Sequence, residues 1–223
     1  MAGETERKDG GMRRAASWVM ALGLALTALP AVAANTSKAE LELLRQRVVA
    51  APGDPGAHFD MAMGLARTSR LEEGWTSLNK VNELDPGYAE KVIGTYAPMV
   101  AENPQNIEAQ FRLAFGHYFK GYSLQEQGQA EAAKESKSLA KQAFRHIISV
   151  DPKYVWGYNY LAYLLAEEGD LTEAVETLKQ AIAVEPDNAV SHFLIGQAYF
   201  RQGNHKDAVV EIGTGMRLRA LNP

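Results

Sequence analysis

The sequence predicts an all-α fold, an α-solenoid in which helix-turn-helix pairs stack on one another. Two observations carry this prediction. Residues 155–222 hold two consecutive copies of a 34-residue unit, with apolar residues of matching size at the same steps. A glycine and a polar residue, Gly169-Asp170 and Gly203-Asn204, divide each copy where one helix would turn into the next. An internal period of this length indicates a solenoid, because one unit cannot bury its apolar surface alone.

Small residues recur at steps 8, 20 and 27 of the unit, where they let helices approach closely. In the copy that starts at Val155 they are Ala162, Ala174 and Ala181, and in the next copy they are Gly196, Ala208 and Gly215. This pattern resembles the tetratricopeptide repeat family. The resemblance implies that the first helix of each pair lines an inner, concave face, and that the protein binds other proteins there.

Composition narrows the possible functions. The chain has 223 residues, of which 46% are hydrophobic and 22% charged, with a formal net charge of −4. The absence of cysteine excludes disulfides, thiolate metal sites and haem attachment through a Cys-x-x-Cys-His motif. The acidic balance, without a basic stripe, argues against nucleic acid as a main partner.

The N-terminus has the three parts of a secretory signal peptide. A positive start at Met12-Arg13-Arg14 precedes the apolar run 15–29, and small residues follow up to Ala34. We expect residues 1–34 to be a signal peptide, cleaved after Ala33 or Ala34, that exports a bacterial protein to the periplasm. The alternative is an uncleaved anchor in the inner membrane. Residues 1–11 are polar, and Met12 is an alternative start.

The solenoid of residues 35–223 is irregular upstream of its two regular repeats. The pattern predicts a lone helix at 38–50, a repeat at 55–86 and a single helix at 88–102, which Pro98 should kink or split. The repeat at 105–152 is 14 residues longer than the period, and regular repeats follow at 155–188 and 189–222. We expect the extra residues to lengthen both helices and to form a polar helical arm at 125–138. The alternative is a flexible loop between helices of ordinary length.

The family resemblance also implies which residues line the inner face. Most of them are aromatic, which predicts capture of an apolar helix or an extended segment rather than of a partner's C-terminal carboxylates. Only Asn159 and Arg201 resemble a carboxylate clamp. Alternatively, the rings pack on neighbouring helices as core. The candidate partner-binding residues are Phe59, Met63, Phe111, Phe115, Tyr118, Phe119, Trp156, Asn159, Tyr163, Phe193, Phe200 and Arg201.

No pattern for catalysis is present. The histidines fall at packing steps, none has the spacing of a helical metal site, and no nucleotide-binding glycine loop or nucleophile motif occurs. We therefore expect no enzyme, no metal and no cofactor. The sequence predicts a protein-interaction scaffold or assembly factor of the bacterial cell envelope. The alternative is a permanent structural subunit of an envelope or membrane-associated complex.

Overall fold

The computed structural model describes residues 35–221, and the expected signal peptide lies outside the described residues. The described range holds ten helices and no strand, which confirms the all-α solenoid. The helices are α1 (Lys38–Ala50), α2 (Pro55–Leu65), α3 (Leu71–Leu84), α4 (Tyr88–Glu102), α5 (Ile107–Glu126), α6 (Ala130–Val150), α7 (Val155–Glu168), α8 (Leu171–Val184), α9 (Ala189–Arg201) and α10 (His205–Leu221).

Three helix pairs turn on a glycine with left-handed backbone geometry. Gly128 joins α5 to α6 with φ of 75°, Gly169 joins α7 to α8 with φ of 91°, and Gly203 joins α9 to α10 with φ of 81°. A side chain at these positions would clash with its own backbone, which is why glycine ends these helices.

Helices α4 to α10 form one continuous stack. Small residues hold neighbouring helices close: a Cβ added at Gly157 of α7 would lie 3.1 Å from Ile148 of α6. One added at Gly116 of α5 would lie 2.9 Å from Val92 of α4. The single helix α4 therefore covers α5 as the second helix of a preceding repeat would.

Helices α2 and α3 do not extend this stack but lie across its inner face. The ring of Phe59 on α2 is 6.1 Å from Phe115 and 6.4 Å from Phe119, both on α5. The hydroxyl of Tyr160 on α7 donates a 3.0 Å hydrogen bond to the Ala66 carbonyl, just after α2. On the opposite side of α2, helix α1 adds a small apolar cluster of Leu41, Leu44, Met61 and Leu65.

The irregular helices differ from expectation in two details. Helix α4 runs without a break through Pro98, so the expected split does not occur. Helices α5 and α6 have 20 and 21 residues against 14 in α7, so the flexible-loop alternative is wrong. The expected polar arm is only partly free, because Ser136 and Lys137 are buried. None of the described helices is long and apolar enough to cross a membrane.

Candidate functional site

The inner face is the surface of α5, α7 and α9 that α2 and α3 cover. Eight of the twelve candidate residues lie at this contact and are buried: Phe59, Met63, Phe111, Phe115, Tyr118, Phe119, Trp156 and Asn159. The expectation of an open aromatic wall is therefore wrong for these eight side chains. The physical reason is that two apolar faces from different parts of the chain meet and exclude water from each other.

The other four candidates lie at the margin of the contact. Tyr163 and Phe193 are half-buried, Phe200 is 61% exposed, and Arg201 is exposed. The Arg201 guanidinium donates a 2.5 Å hydrogen bond to the Ala166 carbonyl and so joins α9 to α7.

The second clamp-like candidate, Asn159, is also used within the fold. Its side-chain amide donates to the Asn188 side-chain oxygen at 3.3 Å, and its own side-chain oxygen accepts from the Ser191 hydroxyl at 2.8 Å. Buried amides need such partners. The two residues that resembled a carboxylate clamp are therefore joined to other repeats instead.

Aromatic rings fill the contact between α2–α3 and the inner face. Trp75 of α3 lies 4.3 Å from Tyr122 and 5.9 Å from Tyr118 between ring centroids. Phe115 meets Tyr160 edge to face at 5.6 Å. Such pairs contribute about 0.5–1.5 kcal/mol each beyond the area they bury. The interlocked rings therefore hold α2 and α3 in place.

Charged side chains join the same helices at one edge of the contact. Asp60 of α2 accepts from Arg112 of α5 at 2.8 Å and from Arg47 of α1 at 2.7 Å. Glu108 of α5 accepts from Arg112 at 2.8 Å and from Arg67, after α2, at 3.1 Å. Burial lowers the pKa of Arg112, but the charges of Asp60 and Glu108 outweigh it and raise that pKa above its ordinary value. The guanidinium thus stays charged and paired.

The segment before α1 is tied to the later repeats by its one described asparagine. Asn35 accepts a 2.9 Å hydrogen bond from the Trp156 indole of α7 and donates a 3.0 Å bond to Glu185, which follows α8. The Thr36 amide donates to the Arg67 carbonyl at 3.3 Å. These bonds fix where the described chain begins relative to the inner face.

Polar groups close the rim beside Tyr163. The Tyr122 and Tyr163 hydroxyls lie 2.9 Å apart, and each donates to the same Glu167 oxygen, at 2.9 and 3.0 Å. Lys137 donates to the other oxygen of Glu167 at 3.0 Å. Burial raises the pKa of Tyr122, so this hydroxyl stays a donor at neutral pH. Glu167 is thus the acceptor that joins α5, α6 and α7.

An apolar cleft remains open where α3 faces α7 and α9. Its cavity of about 60 Å³ is lined on one side by Leu71 and Trp75 and on the other by Tyr163, Val190 and Leu194. Cavities of about 150 Å³ lined by apolar residues hold a benzene ring, so this smaller one suits a single aliphatic group. The cleft is a part of the inner face that stays open to solvent.

Reasoning from the sequence missed the two residues that shape this cleft from opposite sides. Trp75 lies on a second helix, whereas the predicted wall used residues of first helices only. Leu194 lies on a first helix but was not among the predicted residues. Within residues 35–221, no three acidic or histidine side chains converge as a metal site would require. The side chains that line the cleft are mainly apolar.

Comparisons with known proteins agree with this architecture. A family model described as a TPR repeat matches residues 162–203, and one described as a tetratricopeptide repeat matches residues 143–176. No curated protein matches the sequence.

Solved structures provide the likeness in fold. The thermophilic TPR protein TTC0263 of Thermus thermophilus superposes with a TM-score of 0.54 at 18% identity, covering 94% of this chain and 90% of that one. MamA from Desulfovibrio magneticus RS-1 is 18% identical over 83% of this chain and 86% of its own, with a TM-score of 0.41. The family models match the regular repeats, and the fold of TTC0263 extends over nearly the whole described chain. Residues 143–203 are therefore tetratricopeptide repeats by sequence, and the described chain has the all-α solenoid fold of such repeats.

Proposed function

We propose that this protein is a non-catalytic interaction scaffold or assembly factor of the bacterial cell envelope. The tetratricopeptide repeats at residues 143–203 and the solenoid fold support the scaffold role in general. The finer proposal is that a partner's apolar helix or extended segment binds along the open part of the inner face. The carrying observation is the cleft between α3 and α9, because it is apolar, preformed and accessible at its mouth.

The cleft has the features that anchor a partner side chain. Leu71 is 37% exposed and Trp75, Tyr163 and Leu194 are half-buried, so an incoming aliphatic group would be surrounded by apolar atoms. A buried anchor surrounded by polar groups is the usual arrangement of a binding hot spot. The polar cluster around Glu167 supplies such a rim on one side.

The location in the envelope rests on the leader-like residues 1–34 alone. If they are a cleaved signal peptide, the mature protein from the periplasm begins after Ala33 or Ala34, and N-terminal sequencing of the native protein detects this. An intact N-terminus in the membrane fraction would support the anchor instead.

The tip of α5 and α6 around residues 125–131, which is exposed, would serve as a second partner contact.

The proposed binding site can be tested by capture of the native partner. Wild-type protein and a Leu71→Glu/Leu194→Glu variant are used as baits on envelope extracts, with Leu139→Glu as the matched control. Leu139 is 40% exposed on α6, away from the cleft. We expect one protein to be enriched with wild type and control but lost with the double variant, at unchanged far-ultraviolet circular dichroism. Equal recovery by all three baits would contradict the cleft as the site.

The alternative of a permanent structural subunit differs in what is purified. An assembly factor is recovered from its native source largely as a free, soluble protein, whereas a subunit is recovered only inside its complex. Size-exclusion chromatography of the native extract, followed by immunodetection of this chain, separates the two. Elution entirely with a large complex would favour the subunit.

A further inference from the structure

Helix α10 exposes more large apolar side chains than any other described helix. Four large side chains stand out from it: Val209 is 73% exposed, Val210 59%, Met216 62% and Leu221 71%. Their spacing places them on one side of the helix, with the open Gly213 at the centre. Contiguous exposed apolar side chains of this kind mark interaction sites.

The repeat period shows what kind of element this face is shaped to receive. Val209 and Met216 lie 34 residues after Val175 and Ile182 of α8, against which α9 packs. Val175 is 5% exposed, against 73% for its counterpart Val209. One repeat earlier, Ile148 holds the same position and contacts Gly157 of α7. In the preceding repeat, the positions of Val209 and Met216 are thus covered by a helix, whereas the counterparts of Val210 and Leu221, which are Glu176 and Asp187, are exposed.

The charges on this face are positive, although the protein is acidic overall with a net charge of −4. In the described part of the chain, Lys206, Arg217 and Arg219 have no carboxylate within ion-pair distance. The two carboxylates of α10 are occupied: Glu211 pairs with His192 at 2.6 Å, and Asp207 accepts from a neighbouring asparagine at 2.7 Å. The stripe of Val209 and Met216 therefore has Lys206 and Arg217 on one side and Arg219 on the other, and none of the three pairs with a carboxylate of the described chain.

A shallow groove of about 590 Å³ continues this face toward α3. Phe193, Met216 and Ala220 line one side with Arg219, and Arg70 and Glu73 lie on the other. Arg70 already pairs with Glu73 at 2.5 Å, so Arg219 is the cation available in the groove. The groove widens the surface that an added helix would cover.

We propose that the outer face of α10 binds an amphipathic helix of a partner protein, with an apolar stripe flanked by carboxylates. The helix takes the place of the first helix of a further repeat. The charges on α10 favour a partner helix over a second copy of this protein. A second copy would bring Lys206 and Arg217 of both copies together, whereas carboxylates on a partner helix would neutralise these cations. The site lies outside the cleft between α3 and α9, so the two proposals fail or succeed separately.

Designed helical peptides provide the probe. Two peptides of about 20 residues share one leucine-alanine stripe and carry either glutamate or lysine on its flanks; this length lets a helix form alone. Fluorescence anisotropy measures their binding to the full chain. We expect the glutamate peptide to bind about tenfold more tightly than the lysine peptide at low salt, and less so at high salt. Lys206→Glu/Arg217→Glu should reverse this preference, whereas the matched control Lys134→Glu/Lys153→Glu should not.

Replacing Val209 and Met216 by serine separates the apolar contribution. These exposed positions tolerate the change, and we expect affinity for the glutamate peptide to fall about tenfold or more. Undiminished binding by this variant, or no binding of the glutamate peptide to wild type, overturns the proposal. So does a wild-type dimer in light scattering that the serine variant abolishes, which would assign the face to a second copy. Binding to anionic vesicles but not to peptide would assign it to a lipid surface.

Discussion

Replacing Phe115 with alanine tests whether the inner face is core or an open binding wall. Phe115 is 2% exposed, and its ring lies 6.1 Å from Phe59, 5.6 Å from Tyr160 and 5.4 Å from Tyr118. Truncating a buried phenylalanine to alanine costs about 3–5 kcal/mol, because apolar contacts are lost and a cavity remains. Since domains of this kind are stable by about 5–15 kcal/mol, the loss should be a large fraction of the total.

The assay is urea unfolding followed by far-ultraviolet circular dichroism. With a slope of about 2 kcal/mol per molar urea, a loss of about 4 kcal/mol lowers the midpoint by about 2 M. Phe200→Ala is the matched control, because this ring is 61% exposed and its loss should change stability by about 0.5 kcal/mol or less. A Phe115→Ala midpoint equal to that of wild type, together with lost partner capture, would show that the ring is a binding surface instead of core.

Three further predictions, tested with four substitutions, concern packing and charge elsewhere in the protein. Gly121→Ala should destabilise the protein by about 1–3 kcal/mol, because the added Cβ lies 2.7 Å from a side-chain atom and 3.2 Å from a backbone oxygen of α6. Gly213→Ala is its control: no atom lies within 4 Å of the added Cβ, so this change should stabilise the protein by up to about 1 kcal/mol in the same urea titration. Asp60→Ala should cost about 2 kcal/mol by removing a carboxylate from Arg112, and hydrogen exchange in α2 should quicken, an effect absent if this ion pair is merely a surface contact. Burial lowers the pKa of His117 below its ordinary 6.5, so the unfolded chain takes up the proton first as the pH falls. The free energy of unfolding therefore decreases below about pH 6.5. His117→Gln should flatten that decrease between about pH 7 and pH 5, and an unchanged slope would contradict the role of His117.

The regular half of the fold was predictable because its packing is local. In α7 to α10, small residues at fixed steps specify where one helix touches the next, and Gly169 and Gly203 specify the turns. Each of these features acts within one repeat or between neighbours. A period read from the sequence therefore contains the whole arrangement of this region.

The position of α2 and α3 was not predictable from the same steps. The steps of a repeat specify which face of each helix meets the neighbouring helix. They do not specify that α2 and α3, which the lone helix α4 separates from the later repeats, fold back over the inner face. Phe59 fits the inner-face pattern and was therefore expected to be open, yet the matching pattern on α5 covers it. A signal did exist: Asp60 and Arg112 hold the same step of their repeats with opposite charges, and they form an ion pair.

The single helix at 88–102 and the lengthened repeat at 105–152 have one structural cause. Helix α4 stands alone beside α5, and the inner face of α5 is left for α2 and α3. The added turns of α5 then reach past the length of an ordinary first helix, and Tyr122 and Ser123 in those turns contact Trp75 and Asn82 of α3, the hydroxyl-to-amide distance being 3.2 Å. The extension is thus chiefly an attachment for α3. A partner that displaced α2 and α3 would have to replace an aromatic ring and a hydrogen-bond acceptor there, which makes binding at the existing cleft the less costly route.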